Sequence, residues 1–325
     1  MRAWWWLGSG YTGRFMTVLF RDASGPRRAP RASVIAIGAF DGVHRGHQQL
    51  LATVRARADA LEAEAVAISF EPLPREYFQR GLGITRLSSP RQKFERMRAA
   101  GIDQVGLLRF DQALSQTPAE EFVEGLLVRA LNAREVWVGP EFRFGHGRRG
   151  DLALLRRIGE RLGFRAEVLC GITEADERIS STRIRAALEA ADHDTARRLL
   201  GREFSISGRV VHGQKLGRTL GFPTANLPML RRLPPVHGVY AVRVSGAGLT
   251  DWPGVASLGT RPTIDGRELL LEAHLFDFTG DLYAKRLEVA FIEKLREEVR
   301  FANLDDLTER MRQDASEARA VLARC

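Results

Sequence analysis

Two rhythms of apolar and polar residues divide this chain. In the first, unbroken apolar runs alternate with stretches whose apolar residues recur every three or four positions. Residues 34–37 form such a run, and Leu50, Val54, Ala58 and Leu61 then mark one helical face over residues 47–62. AVAISF (65–70) is a second buried strand, followed by a loop holding Pro72 and Pro74. Ser89 and Pro90 suit the N-cap and first residue of a helix over about 90–100. VGLLRF (105–110) is a third strand, and Thr117, Pro118 and Glu120 form a capping box that opens a helix to Leu131. EVWVG (135–139) is a fourth strand, Asp151 caps a helix ending near Gly163, and AEVLCGI (166–172) is a fifth strand. A short TVLF run (17–20) and a basic, proline-containing loop precede them all. Strands buried on both faces, alternating with helices, predict a doubly wound parallel α/β sheet.

The second rhythm begins after a helical stretch, residues 187–201, that ends at Gly201 and serves as connector. FSISGRVVHG, GVYAVRVSG, GVASLGT, LLLEAHLFDF and LYAKRLEVAFI are short alternating or apolar runs separated by glycines and prolines. They predict a compact antiparallel β-barrel. Leu307, Met311, Ala315, Ala318 and Leu322 give the tail from 304 to 322 a helical stripe expected to pack on that barrel. The fold class is therefore α/β followed by all-β, with a terminal helix. The expected layout is an extension over 1–15, a first domain over 16–186, the connector over 187–201 and a second domain over 202–325.

Composition changes this picture little. The net charge of +9 comes almost wholly from arginine, since lysine occurs only at Lys93, Lys215, Lys285 and Lys294. The arginines are spread along the chain among Glu and Asp, which fits a coding bias first. A field that attracts anionic nucleotides comes second, and a nucleic-acid surface third. Cys170 and Cys325 have no near cysteine neighbour, so there is no disulfide framework or zinc motif, and a reducing cytoplasm is expected. The opening MRAWWWLGSGYTGRF is too short in its apolar part for a membrane span, and Met16 is the expected start.

Chemistry-bearing residues gather where strands end. After residues 34–37 the chain crosses Gly38, Asp41, Gly42, His44, Gly46 and His47 before its helix. A strand, a glycine turn and a helix N-terminus make a phosphate site. Two histidines three apart would face the ligand from one side, where imidazole can donate to a phosphate oxygen. GPEFRFGHGRRGD (139–151) places Arg143, Arg148 and Arg149 among glycines and phenylalanines, either to close over an anion or flat ring or as a solvated turn. ERISSTRIRAAL (177–188) puts Ser180, Ser181 and Thr182 at a helix N-terminus with Arg183 and Arg185 in its first turn, an anion cradle. In the barrel, Gly213, Gly217 and Gly221 make a flexible loop whose N–H groups can wrap phosphates. Thr224 and Asn226 are hard oxygen donors suited to one Mg²⁺. Glu272 and His274 share a strand face opposite Leu271, Ala273 and Leu275.

The HRGH turn resembles the HxGH signature of the nucleotidylyltransferase superfamily. With EFRFG and ISSTRIR, in this order, it resembles the adenylyltransferase half of bacterial bifunctional riboflavin kinase/FAD synthetases, over roughly residues 33–325. GRVVHGQKLGRTLGFPTANL, GTRPT and LEAHLFDF are similar to the riboflavin kinase signature segments of the same family. The chain departs from the family's usual pattern at Ala39, often Asn, at Pro140–Glu141, where a loop Asp is common, at Ser257, frequently Asn, and at Leu73, frequently His or Gln.

The resemblance implies ATP and Mg²⁺ as requirements, FMN and FAD as products, and riboflavin, FMN and ATP as small-molecule partners. It implies Glu272 as base on the ribityl 5′-hydroxyl and Thr224 and Asn226 as the Mg²⁺ ligands. His44, His47 and Arg185 would be catalytic in adenylyl transfer. ATP would be bound by Gly38, Phe40, Asp41, Gly42, Gly46, Ser180, Ser181, Thr182 and Arg183 in the first domain. In the second, Gly213, Lys215, Gly217, Gly221, Thr224 and Asn226 would hold it. Phe142, Arg143, Phe222 and Arg261 would lie against the flavin. The expected protein binds neither nucleic acid nor membrane and is a monomer or weak homo-oligomer. The alternatives are a member with one dead domain, a nucleotidylyltransferase for another phosphorylated acceptor and, remotely, a basic nucleic-acid-binding protein.

Overall fold

The computed structural model describes residues 17–22, 28–79, 83–169, 171, 173–174, 177–213, 216–229, 233–263 and 266–324. The expected N-terminal extension, Cys170, Lys215 and the side chain of Arg261 lie outside what is described. The chain forms two compact units. One takes in the chain up to Gly38 with Leu50–Glu71 and Met97–Leu169; the other takes in Ala39–Gln49, Pro72–Arg96 and Cys170–Cys325.

The first unit is a six-stranded sheet. Its strands are β1 (Val18–Phe20), β2 (Ser33–Ile37), β3 (Glu64–Glu71), β4 (Gln104–Arg109), β5 (Ala133–Val138) and β6 (Arg165–Val168). Their order is β1-β4-β3-β2-β5-β6, and every pairing is parallel. That is the expected doubly wound sheet, with the order reversing at β2. All five residues of β2 are buried, which is why it reads as an unbroken apolar run. Ile35, Ile37, Val66 and Ile68 pack with Phe122, Val123, Leu126 and Leu127 and with Leu155 and Ile158. Each such side chain contributes about 1.5–3 kcal/mol by leaving water. The Leu152–Leu162 helix starts as expected, with the Asp151 side chain accepting from the Leu154 N–H at 2.9 Å, and ends at a left-handed Gly163.

In the second unit a two-stranded hairpin, β7 (Thr173–Glu174) with β8 (Glu177–Arg178), precedes two helices and the barrel. The barrel strands are β9 (Phe204–Arg209), β10 (Ala225–Pro228), β11 (Gly238–Gly246), β12 (Leu249–Thr263), β13 (Gly266–Leu275) and β14 (Arg286–Arg296). They run antiparallel in the order β10-β13-β12-β11-β14-β9. The sheet curls until its edges meet at a bridge between Val211 and Asn226. Inside lie Ile206, Leu227, Val242, Leu258, Leu271 and Phe291. The terminal helix Leu304–Leu322 covers Val239, Ala241, Val255 and Phe276 with Ala318, Val321 and Leu322. Asp314 clamps it by accepting from Arg296 Nε at 2.8 Å and Nη2 at 2.6 Å.

Three local expectations differ. The capping box at Thr117 does not form, because Thr117 ends the preceding helix Gln112–Gln116 and its hydroxyl donates back to the Ala113 carbonyl at 3.0 Å. Pro118 starts the next helix without a side-chain cap, and from Phe122 to Ala130 that helix is π-wound. The proline loop after β3 contains a short helix, Pro74–Phe78, with proline in its first turn, where a missing N–H costs nothing. The connector is two helices, Ser181–Glu189 and His193–Leu200. The chain breaks between them at Ala191 (φ 57°), and Asp192 recaps the second.

Candidate active site

The histidine turn leaves β2 through Gly38, whose N–H still bonds to Ile68. Phe40 (φ 48°), Gly42 (φ 83°) and Val43 (φ 43°) then adopt left-handed backbone, which is strained wherever a side chain is carried. Asp41, 1% exposed, anchors the turn. Its carboxylate accepts from the Leu87 and Ser88 N–H groups, each at 3.1 Å, and forms an ion pair with Arg185. Arg185 Nε donates to the Thr85 carbonyl at 2.8 Å. Its Nη1 makes no hydrogen bond with the described residues. Ser181 Oγ donates to the Asp41 carbonyl at 2.9 Å. The turn and the SSTRIR helix are thus one structure, joined through a buried pair.

On this base the rings of His44 and His47 stack, with centroids 3.7 Å apart and planes at 19°. Phe40 lies against His47 at 5.0 Å. Gly46 keeps this packing tight, since a Cβ there would stand 3.3 Å from the His44 ring and press it aside. The His47 N–H donates to His44 Nδ1 at 3.4 Å, which leaves Nε2 of His44 to carry the ring proton. Burial, opposed by Asp41 and reinforced by Arg178, Arg202 and Arg185, holds the His44 pKa down to about 4. Burial and then His44, Lys93 and Arg178 hold His47 well below its ordinary value. Both rings are neutral at pH 7, each with one N–H to offer, and His47 Nδ1 is buried without a partner among the described residues.

The SSTRIR residues divide their tasks. Ser180 caps the helix by accepting from the Arg183 N–H at 3.2 Å. Arg183 turns to the β7–β8 hairpin, donating to the carbonyls of Glu174 at 2.9 Å and Glu177 at 3.1 Å. Thr182 is exposed at the helix start. In the first unit, Phe144 is buried and stacks on Phe142, with centroids 5.4 Å apart. Phe142, Arg143 and Arg148 line a cavity of about 480 Å³, and Arg143 is paired with Asp151 at 2.9 Å.

The barrel holds a different site, in a cavity of about 530 Å³ lined by Phe222, Thr224, Ser257, Glu272, His274 and Glu298, among others. Strand register places Asn226 directly opposite Glu272. Leu271, Ala273 and Leu275 face the core, as the alternation predicts. Asn226 is 6% exposed, and its Oδ1 is buried with no partner among the described residues. Its Nδ2 donates to the Thr224 carbonyl at 3.2 Å. A Cβ on Gly213 would stand 2.6 Å from that Oδ1, so glycine alone lets the loop close there. An orphaned amide oxygen beside a threonine and across from a carboxylate is an oxygen set that fits Mg²⁺. His274 Nδ1 lies 2.9 Å from the Pro223 carbonyl, and its ring meets Phe222 edge-on at 5.2 Å. The glycine loop is not the open N–H wrap expected of it. Leu216–Thr219 is a helical turn, and the N–H groups of Leu220, Gly221 and Phe222 bond back to Gly217 and Arg218.

Comparison with known proteins follows this division. The FAD synthetase family matches residues 27–183 and the riboflavin kinase family matches residues 200–322. A bifunctional riboflavin kinase/FMN adenylyltransferase of Pseudomonas fluorescens is 46% identical over 306 residues, 94% of this chain and 98% of that protein. The chain belongs to the bifunctional riboflavin kinase/FMN adenylyltransferase family. The protein of that description in Escherichia coli K12 is 43% identical over 93% of this chain and 96% of its own length. A crystal structure of a macrolide-efflux protein from Streptococcus pneumoniae superposes with a TM-score of 0.77 at 28% identity, covering 92% of this chain and 97% of that one. Among the described residues here, no helix is long and apolar enough to cross a membrane.

In this family member some residues around the histidines carried no sequence signal. Lys93 is fully buried in the Pro90–Ala99 helix, and Arg178 sits at the end of β8. Both act on His47 through charge. Their positions far along the chain give no motif; only the spatial closure reveals them.

Proposed function

We propose that the chain makes FAD from riboflavin in two ATP-dependent transfers, one at each cluster. The observation that carries this reading is the presence, in one chain and in family order, of both a histidine turn locked to the SSTRIR helix and a barrel strand pair on which Asn226, its Oδ1 without a partner among the described residues, stands opposite Glu272. The adenylyltransferase domain takes residues 16–186, the connector 187–201 and the kinase domain 202–325.

In the barrel, Glu272 accepts the proton of the ribityl 5′-hydroxyl as that oxygen attacks the γ-phosphorus of ATP. The bond to the β-phosphate oxygen breaks, and FMN and ADP form. Asn226 Oδ1 and the Thr224 hydroxyl would hold Mg²⁺, which would supply charge neutralisation at the phosphates. Position and electrostatics carry the step, and Phe222 and Arg261 hold the flavin.

In the adenylyltransferase domain, an FMN phosphate oxygen attacks the α-phosphorus of a second ATP and pyrophosphate leaves. Neutral His44 and His47 donate N–H groups to the phosphate oxygens, where charge gathers in the transition state. Arg185 offers Nη1, which makes no hydrogen bond among the described residues, to the same charge, while its other nitrogens hold the turn through Asp41 and Thr85. Ser180, Ser181 and Arg183 shape the site by capping and bracing it, and Phe142 and Arg143 hold the flavin. The partners are small molecules in a cytoplasmic setting, with no nucleic acid.

A product time course with riboflavin, ATP and Mg²⁺ tests the reading. FMN should appear first and FAD after it. Arrest at FMN would leave the adenylyl site dead or serving another acceptor.

A further inference from the structure

The histidine turn is braced by a residue outside every motif. Arg202 follows the left-handed Gly201 and precedes β9. It lies within the segment matched by the riboflavin kinase family. Its Nη2 donates to the Gly42 carbonyl, and its Nη1 donates to the carbonyls of Val43 and Leu200, each at 3.1 Å. Gln48 bonds the same two acceptors from the helix side, its Nε2 at 2.9 Å from the Val43 carbonyl and 2.8 Å from that of Leu200. Every one of these protein bonds goes to backbone oxygen, and Arg202 has no ion pair among the described residues.

That arrangement is costly. Arg202 Nε is buried without a partner among the described residues, and a buried cation without a carboxylate partner carries an uncompensated desolvation penalty. Burial, and then Arg96, pull the guanidinium pKa down to about 9, so it stays charged at pH 7. The backbone it holds is strained, with Val43 at φ 43° and Gly42 at φ 83° immediately before His44. Such backbone persists only where its surroundings over-determine it. Here the carbonyls of residues 42 and 43 are fixed by a planar fork that lysine cannot copy.

We infer that Arg202 is a positioning residue for adenylyl transfer: with Gln48 it fixes the two carbonyls before His44 and so sets the histidine rings against the phosphates. The inference rests on the reading of His44 and His47 given above. It makes the adenylyl site dependent on a residue from the kinase segment of the chain. It predicts that the two activities of one polypeptide separate when that residue changes.

The test is steady-state kinetics of both reactions on the same full-length preparations: wild type, Arg202→Lys, Arg202→Met and His47→Ala. Arg202→Met should lower kcat for FAD formation from supplied FMN by about 10- to 100-fold, as expected for misplaced catalytic groups. Its KM for ATP should move less than its kcat. Riboflavin phosphorylation by the same sample should remain near wild type, which reports that the chain is folded. Arg202→Lys keeps the charge but not the fork and should recover only part of the loss. If His47→Ala loses FAD formation and Arg202→Met does not, this inference fails alone. If His47→Ala also keeps FAD formation, the underlying site assignment fails. A parallel fall in both activities of Arg202→Met would make Arg202 a structural residue only and overturn the proposal.

Discussion

On the proposed reading, the two clusters gather anionic phosphate by opposite means. In the histidine turn most polar groups already have protein partners: Asp41 with Arg185, Leu87 and Ser88, Ser180 with Arg183, and Ser181 with Asp41. On that reading, a stacked pair of neutral rings and one guanidinium nitrogen are what this cluster offers a phosphate. In the barrel cavity the opposite holds. The Asn226 oxygen is left without a partner among the described residues, in register with Glu272 on the neighbouring strand. One site is rigid before the substrate arrives. The other is completed by what it binds.

Substitutions should break the two sites differently. The largest effect is expected in the barrel, where Asn226→Ala removes a ligand oxygen and should slow riboflavin phosphorylation by roughly 10²- to 10³-fold. FAD formation from supplied FMN should be spared, as a coupled assay would show. Next is Asp41→Asn, which leaves the Arg185 charge buried without its counter-ion and should destabilise the fold by about 3 kcal/mol in denaturant titration. The equivalent truncation in the open site, Thr224→Ala, should cost far less stability, because Thr224 lines the barrel cavity and forms no buried ion pair among the described residues. His47→Ala should slow adenylyl transfer by about 10²-fold while riboflavin phosphorylation continues.

The smallest effect is a pH dependence. The His44 pKa is depressed from 6.5 to about 4 in the folded chain. Its contribution to stability is therefore complete above pH 6.5 and is lost as pH falls towards 4, where only the unfolded chain binds the proton readily. At pH 5 the His44 share of the loss should be about 2 kcal/mol relative to neutral pH, and His44→Gln should reduce the slope by that share while the depressed His47 keeps its own. A slope unchanged by the substitution would place the titration elsewhere.

The contrast also explains what could be read from the sequence. Parallel strands buried on both faces write themselves as apolar runs, and β2, β3 and β4 were visible for that reason. The alternation of Leu271, Glu272, Ala273, His274 and Leu275 gave both the burial and the site face of β13. Glycines read well where one sterically close contact decides, as at Gly213 beside Asn226.

Other features were hidden. The pairing of Asp41 with Arg185 and the grip of Arg202 on the turn join residues far apart in sequence, and neither leaves a local pattern. Local signals also misled. Thr117 fits a capping box, yet its hydroxyl serves the helix before it. Two prolines suggest a loop where one of them starts a short helix. Arg183 in a first turn suggests phosphate, yet it braces the β7–β8 hairpin. The glycine spacing around Gly217 suggests free N–H groups, and a helical turn uses several of them.

The most direct test mixes two single variants. Over the time in which wild type completes the conversion, His47→Ala and Asn226→Ala should each give almost no FAD from riboflavin, the first accumulating FMN and the second leaving most riboflavin unphosphorylated. An equimolar mixture should make FAD, because each chain keeps one complete site and FMN passes between them through solution. A mixture that makes no FAD, although each variant keeps its own remaining activity, would contradict the assignment of two independently complete sites.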